Sequence, residues 1–190
     1  MTSRERIARV LKHEPVDRIG VFEHFWGDPL AVWQREGHIA EGEDLATHFG
    51  LDMELSGAFR TVADLDWEDE IVEETDETVT VRDGNGALLR RHKQHAATPE
   101  HIGFKVTERS VWESDIKPLL KPEPRRLNLD GYREARRRAA ERDRFFCACG
   151  INVFEAMHPV CGHENMLMGM ALDPDWVRDM ASTYADLTIG

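Results

Sequence analysis

Between Asp130 and Ile189 the sequence alternates in a way that few folds accommodate. A helical pattern, Asp130–Arg144, leads into the short apolar run Phe145–Cys149, which stops at Gly150. A polar-rich stretch follows, carrying Glu155, His158, Cys161, His163 and Glu164. Asp173–Ile189 then returns to helical spacing. Helix, buried strand, turn and helix make a β/α repeat, and such folds place their chemistry where strands end. The turn after Gly150 is therefore one candidate active-site edge.

The N-terminal third predicts a second. Thr2 and Glu5 have capping-box spacing ahead of Ile7, Val10 and Leu11, and Pro15 closes that helix. Arg18–Trp26 reads as a strand, apolar on both faces and so covered on both sides. Asp28–Pro29 supplies an N-cap and first helical residue, with Gly37 at the far end. The turn Phe22–Pro29 thus brings Glu23, His24, Trp26 and Asp28 to a strand end. Carboxylates and imidazoles gathered at such ends suit proton transfer, with His24 and Glu155 the candidate catalytic groups. Glu23, Trp26, Asp28, Phe154 and His158 are the candidate substrate-binding wall.

Asp44–Phe49 reads as a short helix closed by Gly50. Asp64–Glu77 holds nine acids and no base, mixed with Leu65, Trp67, Ile71 and Val72. Thr78–Arg82, the turn Asp83–Gly86 and Ala87–His92 spell a hairpin, and Gly103–Thr107 reads as a further strand. Residues 66–108 are accordingly an antiparallel insertion within a single domain covering 1–190. A short helix interrupted by Pro118 follows, then a linker stiffened by Pro122 and Pro124. Eight arginines against four acids over Arg125–Arg144 describe a solvated outer helix. Trp176, Met180, Tyr184 and Leu187 form the core stripe of the last one.

Cys147, Cys149, Cys161 and His163 are zinc-ligand types, but a C-x-C pair within an apolar strand lacks the C-x₂₋₄-C turn of zinc knuckles. Buried thiols are the expectation, and no metal ligand is assigned. Phosphate-binding glycine loops and a GxSxG elbow are absent from the sequence. A net charge of −12 and a pI near 5.2 lack the basic footprint of nucleic-acid binding. No apolar run spans a bilayer, the N-terminus lacks a signal-peptide core, and three cysteines make no disulfide framework. A cytoplasmic setting, without membrane or nucleic-acid partners, is expected.

Taken together, Ser3–Val21, His48–Met53, Trp112–Leu120 and Phe145–Val177 resemble the uroporphyrinogen decarboxylase superfamily, which includes the corrinoid-linked methyltransferases. The resemblance runs from about Ser3 to the end and is thin across the insertion. It implies an α/β fold of the TIM-type (β/α)₈ barrel kind with its site at the strands' C-terminal ends. Decarboxylases of the family carry an arginine-bearing RQAGR segment after the first strand. Here Phe22–Pro29 stands in that place, with no arginine before Arg35, so the methyltransferases are the nearer comparison. Their activity moves a methyl group from a small substrate to a corrinoid carrier protein with the help of zinc. The resemblance places the zinc ligands in the other half of the barrel. A barrel needs about 250 residues, so these 190 are expected to be the first half, a fragment prone to self-association through uncovered edges. Uroporphyrinogen decarboxylation and an inactive, partner-binding half barrel are the alternatives.

Overall fold

The computed structural model describes residues 1–150 and 153–190. The chain is a mixed α/β protein with one parallel and one antiparallel sheet, and the described residues form no closed barrel. It divides into two compact units.

The first unit comprises Met1–Phe59 and Asn128–Gly150. Its elements are α1 (Ser3–Leu11), α2 (Gly27–Arg35), α3 (Leu45–His48), β1 (Met53–Gly57), α5 (Leu129–Glu141) and β6 (Phe145–Cys149). Helix α1 begins with the capping box: the Glu5 N–H donates to Thr2 Oγ1 at 3.2 Å, and the Thr2 N–H donates to Glu5 Oε2 at 3.0 Å. Strands β1 and β6 run parallel, Met53 opposite Phe145 and Gly57 opposite Cys149. Because side chains alternate along a strand, Glu54 and Phe146 share one face while Met53, Leu55, Phe145, Cys147 and Cys149 share the other. Helix α5 covers the first of these. Arg138 Nε donates to Glu54 Oε1 at 2.9 Å, and Tyr132 meets Phe146 edge-on at 5.1 Å. The second face stays partly open, leaving Cys147 half-buried and Cys149 exposed.

Arg18–Trp26 is extended but joins no sheet, contrary to the strand expected there. The reason lies in Asp52, the residue before β1. Its N–H donates to the Val21 carbonyl at 2.8 Å, as a ladder would require. Its buried carboxylate, however, takes the Val21 N–H at 2.8 Å and the Arg18 guanidinium at 2.6 Å. A side chain thus occupies the donor a strand would offer, and the ladder goes no further. Ile19 and Phe22 remain 79% and 47% exposed, so this segment is not covered on both sides. Helix α2 also starts earlier than expected, at Gly27, with Trp26 rather than Asp28 at the N-cap.

The second unit comprises Arg60–Leu127 and Ile151–Gly190. Strands β2 (Glu70–Glu74), β3 (Thr78–Arg82), β4 (Leu88–His92) and β5 (Glu100–Gly103) form an antiparallel sheet in sequence order. The Asp83–Gly86 turn makes the expected hairpin between β3 and β4. Asp83 Oδ1 accepts from the N–H groups of Asn85 and Ala87, and Gly86 adopts φ +76°. Every residue of β2 is exposed. Its glutamates are what a bare edge strand needs to avoid pairing with other chains. A small core of Val81, Ala87 and Leu89 packs with Val79 and Phe104.

Helix α4 (Arg109–Val111) runs into a π turn (Trp112–Ile116) and a 3₁₀ turn (Lys117–Leu119) around Pro118. The expected linker instead folds into a 3₁₀ turn (Pro124–Arg126) that buries Arg126 to 1% exposure. Helices α6 (Val153–Leu172) and α7 (Pro174–Ile189) complete the unit. Asp173 caps α7, accepting the Trp176 N–H at 3.2 Å, and the predicted stripe Trp176, Met180, Tyr184 and Leu187 is buried. No helix among the described residues is long and apolar enough to cross a membrane.

Candidate functional site

The predicted site residues fall into two groups, one in each unit. Glu23, His24, Trp26 and Asp28 belong to the first unit, while Phe154, Glu155 and His158 belong to the second.

In the first unit the extended stretch Phe22–Phe25 lines a cavity of about 300 Å³ together with Leu30, Met53 and Leu55. Glu23 folds back on the chain, its Oε1 accepting the His24 N–H at 2.7 Å. The His24 ring meets Trp26 edge-on at 5.8 Å, and Phe25 packs on Phe49 at 4.9 Å and Trp33 at 5.6 Å. The aromatic ring set holds the strand-like segment in place of a backbone ladder. Trp26 is half exposed and Asp28 stands in the first turn of α2, where its charge favours the helix N-terminus.

In the second unit the turn expected after Gly150 is helix: Phe154, Glu155 and His158 stand on α6. Ile151 and Asn152, part of that expected turn, lie outside the described residues. Three residues apart on a helix, Glu155 and His158 share a face, and His158 Nε2 lies 3.1 Å from Glu155 Oε2. The His158 ring stacks on His163 at 4.4 Å and 16°, and His163 lies 6.1 Å from Phe154.

A straight helix turns about 500° over five residues, which points His158 and His163 apart by about 140°. Gly162 removes that obstacle. At φ 76° and ψ 158° it breaks the helix, and a side chain there would come within 2.4 Å of the Phe104 ring. Only glycine meets both demands. The break carries His163 back over His158.

His101, on β5, adds a third imidazole 5.9 Å from His158 and stacks on Phe104 at 5.8 Å. Burial, and then the neighbouring His158, push the His101 imidazole below its ordinary pKa. Sequence reasoning missed His101, because an isolated histidine in a strand gives no signal of what it faces. Gly162 falls in the stretch expected to be a turn, and a glycine three residues after Pro159 in an otherwise helical run is the available clue to the break.

Of the three cysteines expected to be buried, one is and two are not. Cys161 is buried, and burial pushes its thiol up to about 11. Cys147 and Cys149 are not buried, because they stand towards the exposed C-terminal end of β6, where Ala148 is exposed as well. Among the described residues no cluster of three or more His, Cys, Asp or Glu side chains is arranged to hold a metal ion. The His158 and His163 ring planes lie 16° apart, and lone pairs confined to near-parallel planes do not converge on one ion.

The chain matches no family model, no curated protein and no solved structure.

Proposed function

We propose that the chain is part of a uroporphyrinogen decarboxylase-like TIM-type barrel, and that it acts as a methyltransferase-like enzyme delivering a methyl group from a small substrate to a corrinoid carrier. The observation that carries this reading is the parallel pair β1 and β6, which packs against α5 on one face and leaves Met53, Leu55, Phe145 and Cys147 half-buried on the other. Parallel strands occur almost entirely in sheets covered on both faces. The open apolar face of Met53, Leu55, Phe145 and Cys147 is what the interior of a barrel supplies. The extended Ile19–Trp26 segment, tied to the start of β1 through Asp52, holds the place of a further stave.

In this reading Glu155 and His158 act as a carboxylate–imidazole pair. Glu155 orients the ring, and His158 gives a proton to the substrate atom that loses its methyl group. His24 is a second proton-transfer group, at the cavity of the first unit. Glu23, Trp26 and Asp28 contribute binding contacts within the first unit and Phe154 within the second. The described residues do not fit the zinc that the family reading implies, and no step here passes through it. The corrinoid belongs to a partner and is likewise no part of this chain's chemistry.

Methyl transfer from a panel of methoxy, methylthio and methylamino donors to free cob(I)alamin tests the proposal, read by methylcobalamin absorbance. Transfer that falls about 100-fold in Glu155→Gln and His158→Gln is the expected outcome. Unchanged rates in both variants, or turnover of uroporphyrinogen without methyl transfer, overturn it.

A further inference from the structure

Cys147 and Cys149 lie two residues apart on β6, so both thiols project from the same open face of the parallel sheet. Neither is sealed in the core and both are free, the Cys147 thiol donating to the Ala148 carbonyl and the Cys149 thiol to the Cys147 carbonyl, each at 3.8 Å. The proposed methyl transfer uses neither. We propose that this pair is a binding site for a soft, two-coordinate metal ion, copper(I), held between the two sulfurs.

Distances favour a metal over a disulfide. Alternate positions on a strand are about 6.6 Å apart, at the far end of the roughly 4.4–6.8 Å that a disulfide tolerates between Cα atoms. Two metal–sulfur bonds of about 2.3 Å each in line span sulfurs about 4.6 Å apart, against about 2.0 Å in a disulfide, so an ion asks for a smaller approach of the two side chains. The donor set selects the metal. Thiolates prefer copper(I), and among the described residues no third His, Cys, Asp or Glu completes the site, which suits an ion satisfied by two ligands.

Strand β1 supports the arrangement, with Gly57 opposite Cys149 and nothing within 4 Å of where a side chain at Gly57 would stand. Binding displaces one proton from each thiol, so that copper(I) and two thiols give the bis-thiolate complex and two protons.

The test uses the reduced 190-residue chain and copper(I) supplied as its coloured bicinchoninate complex. Loss of colour equivalent to about one ion per chain is expected, together with its disappearance in Cys147→Ser and Cys149→Ser and its retention in Cys161→Ser. Iodoacetamide footprinting of the folded wild-type chain makes the result independent of the variants' folding. Copper(I) should protect Cys147 and Cys149 from alkylation. The site is overturned if the wild-type chain takes no copper, if both serine variants keep it, or if alkylation proceeds unchanged.

Discussion

Each unit buries a charged side chain, and the two solve the problem by opposite means. In the first, Asp52 is fully buried and answered by opposite charge. Arg6 Nη1 and Ser3 Oγ each donate to Oδ1 at 2.7 Å, Arg18 Nη1 donates to Oδ2 at 2.6 Å, and the Val21 N–H completes the set. In the second, Arg126 finds no carboxylate among its hydrogen-bond partners. Its Nε donates to the Lys121 carbonyl, Nη1 to those of Arg60 and Val62, and Nη2 to those of Ala63 and Leu119, over 2.6–3.2 Å. A guanidinium has five N–H donors, and all five are used. The acid cluster is redundant, because Arg6 also holds Asp17 through two bonds of 2.7 Å. The carbonyl cage is less redundant: the Leu119 carbonyl also accepts the Lys121 N–H at 3.0 Å, while those of Arg60, Val62, Ala63 and Lys121 are gathered by the one guanidinium.

This contrast predicts a ranking. Arg126→Met should cost the most, about 3–5 kcal/mol, because it strands several buried acceptors at once. Urea unfolding measures it. Arg126→Lys sharpens the point, since it keeps the charge but offers three donors without the planar fork. Full rescue by lysine would mean that charge alone matters. Asp52→Asn should cost less, about 2–3 kcal/mol, since Arg6 keeps Asp17. A larger loss for Asp52→Asn than for Arg126→Met would reverse the argument from redundancy.

Acid separates the two devices further. Burial pushes the Asp52 carboxyl up, but the bonds from Arg18, Ser3 and Val21 outweigh it and leave the group at about 2, below its ordinary 3.8. A depressed folded value means stability that is present above about pH 4 and lost as pH falls towards about 2. The loss attributable to Asp52 is about 2 kcal/mol. Arg126 stays charged throughout that range. Urea midpoints measured from about pH 5 down to about pH 2 should therefore show a flattened slope in Asp52→Asn and an unaltered slope in Arg126→Lys. Equal slopes in all three proteins would remove Asp52 as the acid-sensitive group.

Which parts of this molecule were legible in the sequence follows from the range of the forces involved. The Thr2–Glu5 box, the Asp83–Gly86 turn and the Asp173–Pro174 helix start are made by neighbours in the chain, and each forms as the spacing predicts. Strand β6 and the apolar stripe of α7 were readable because periodicity is local too. Long-range side-chain-to-backbone bonds leave no such trace. Arg126 sits in Lys-Pro-Glu-Pro-Arg-Arg, which reads as a solvated linker, yet it reaches carbonyls more than sixty residues away. Asp52 ends the expected first strand by taking the Val21 N–H across thirty-one residues. For the candidate site, residue types were legible while their setting was not. Glu155 and His158 pair as helical neighbours, but the stacking on His163 needs the Gly162 break and the third imidazole comes from a distant strand.

The smallest effects compare the two units through their helix caps. Thr2 begins the helix that carries Ser3 and Arg6 to Asp52, so Thr2→Ala removes an acceptor for the Glu5 N–H and loosens that anchor. Asp173 begins α7, where it accepts the Trp176 N–H at 3.2 Å and meets Arg109 at 3.4 Å. Each loss should be about 1 kcal/mol. The ion pair with Arg109 adds little, because exposed pairs are screened by water. Hydrogen exchange distinguishes the sites as well as the sizes. Thr2→Ala should speed exchange in α1 and around Asp52, whereas Asp173→Ala should speed it in the first turns of α7. The effect of Thr2→Ala should shrink below about pH 4, because Asp52 protonation already weakens what α1 holds. An Asp52 region whose exchange ignores the Thr2 cap would show that the acid cluster stands without its helix, and the contrast drawn between cluster and cage would then rest on Arg6 and Arg18 alone.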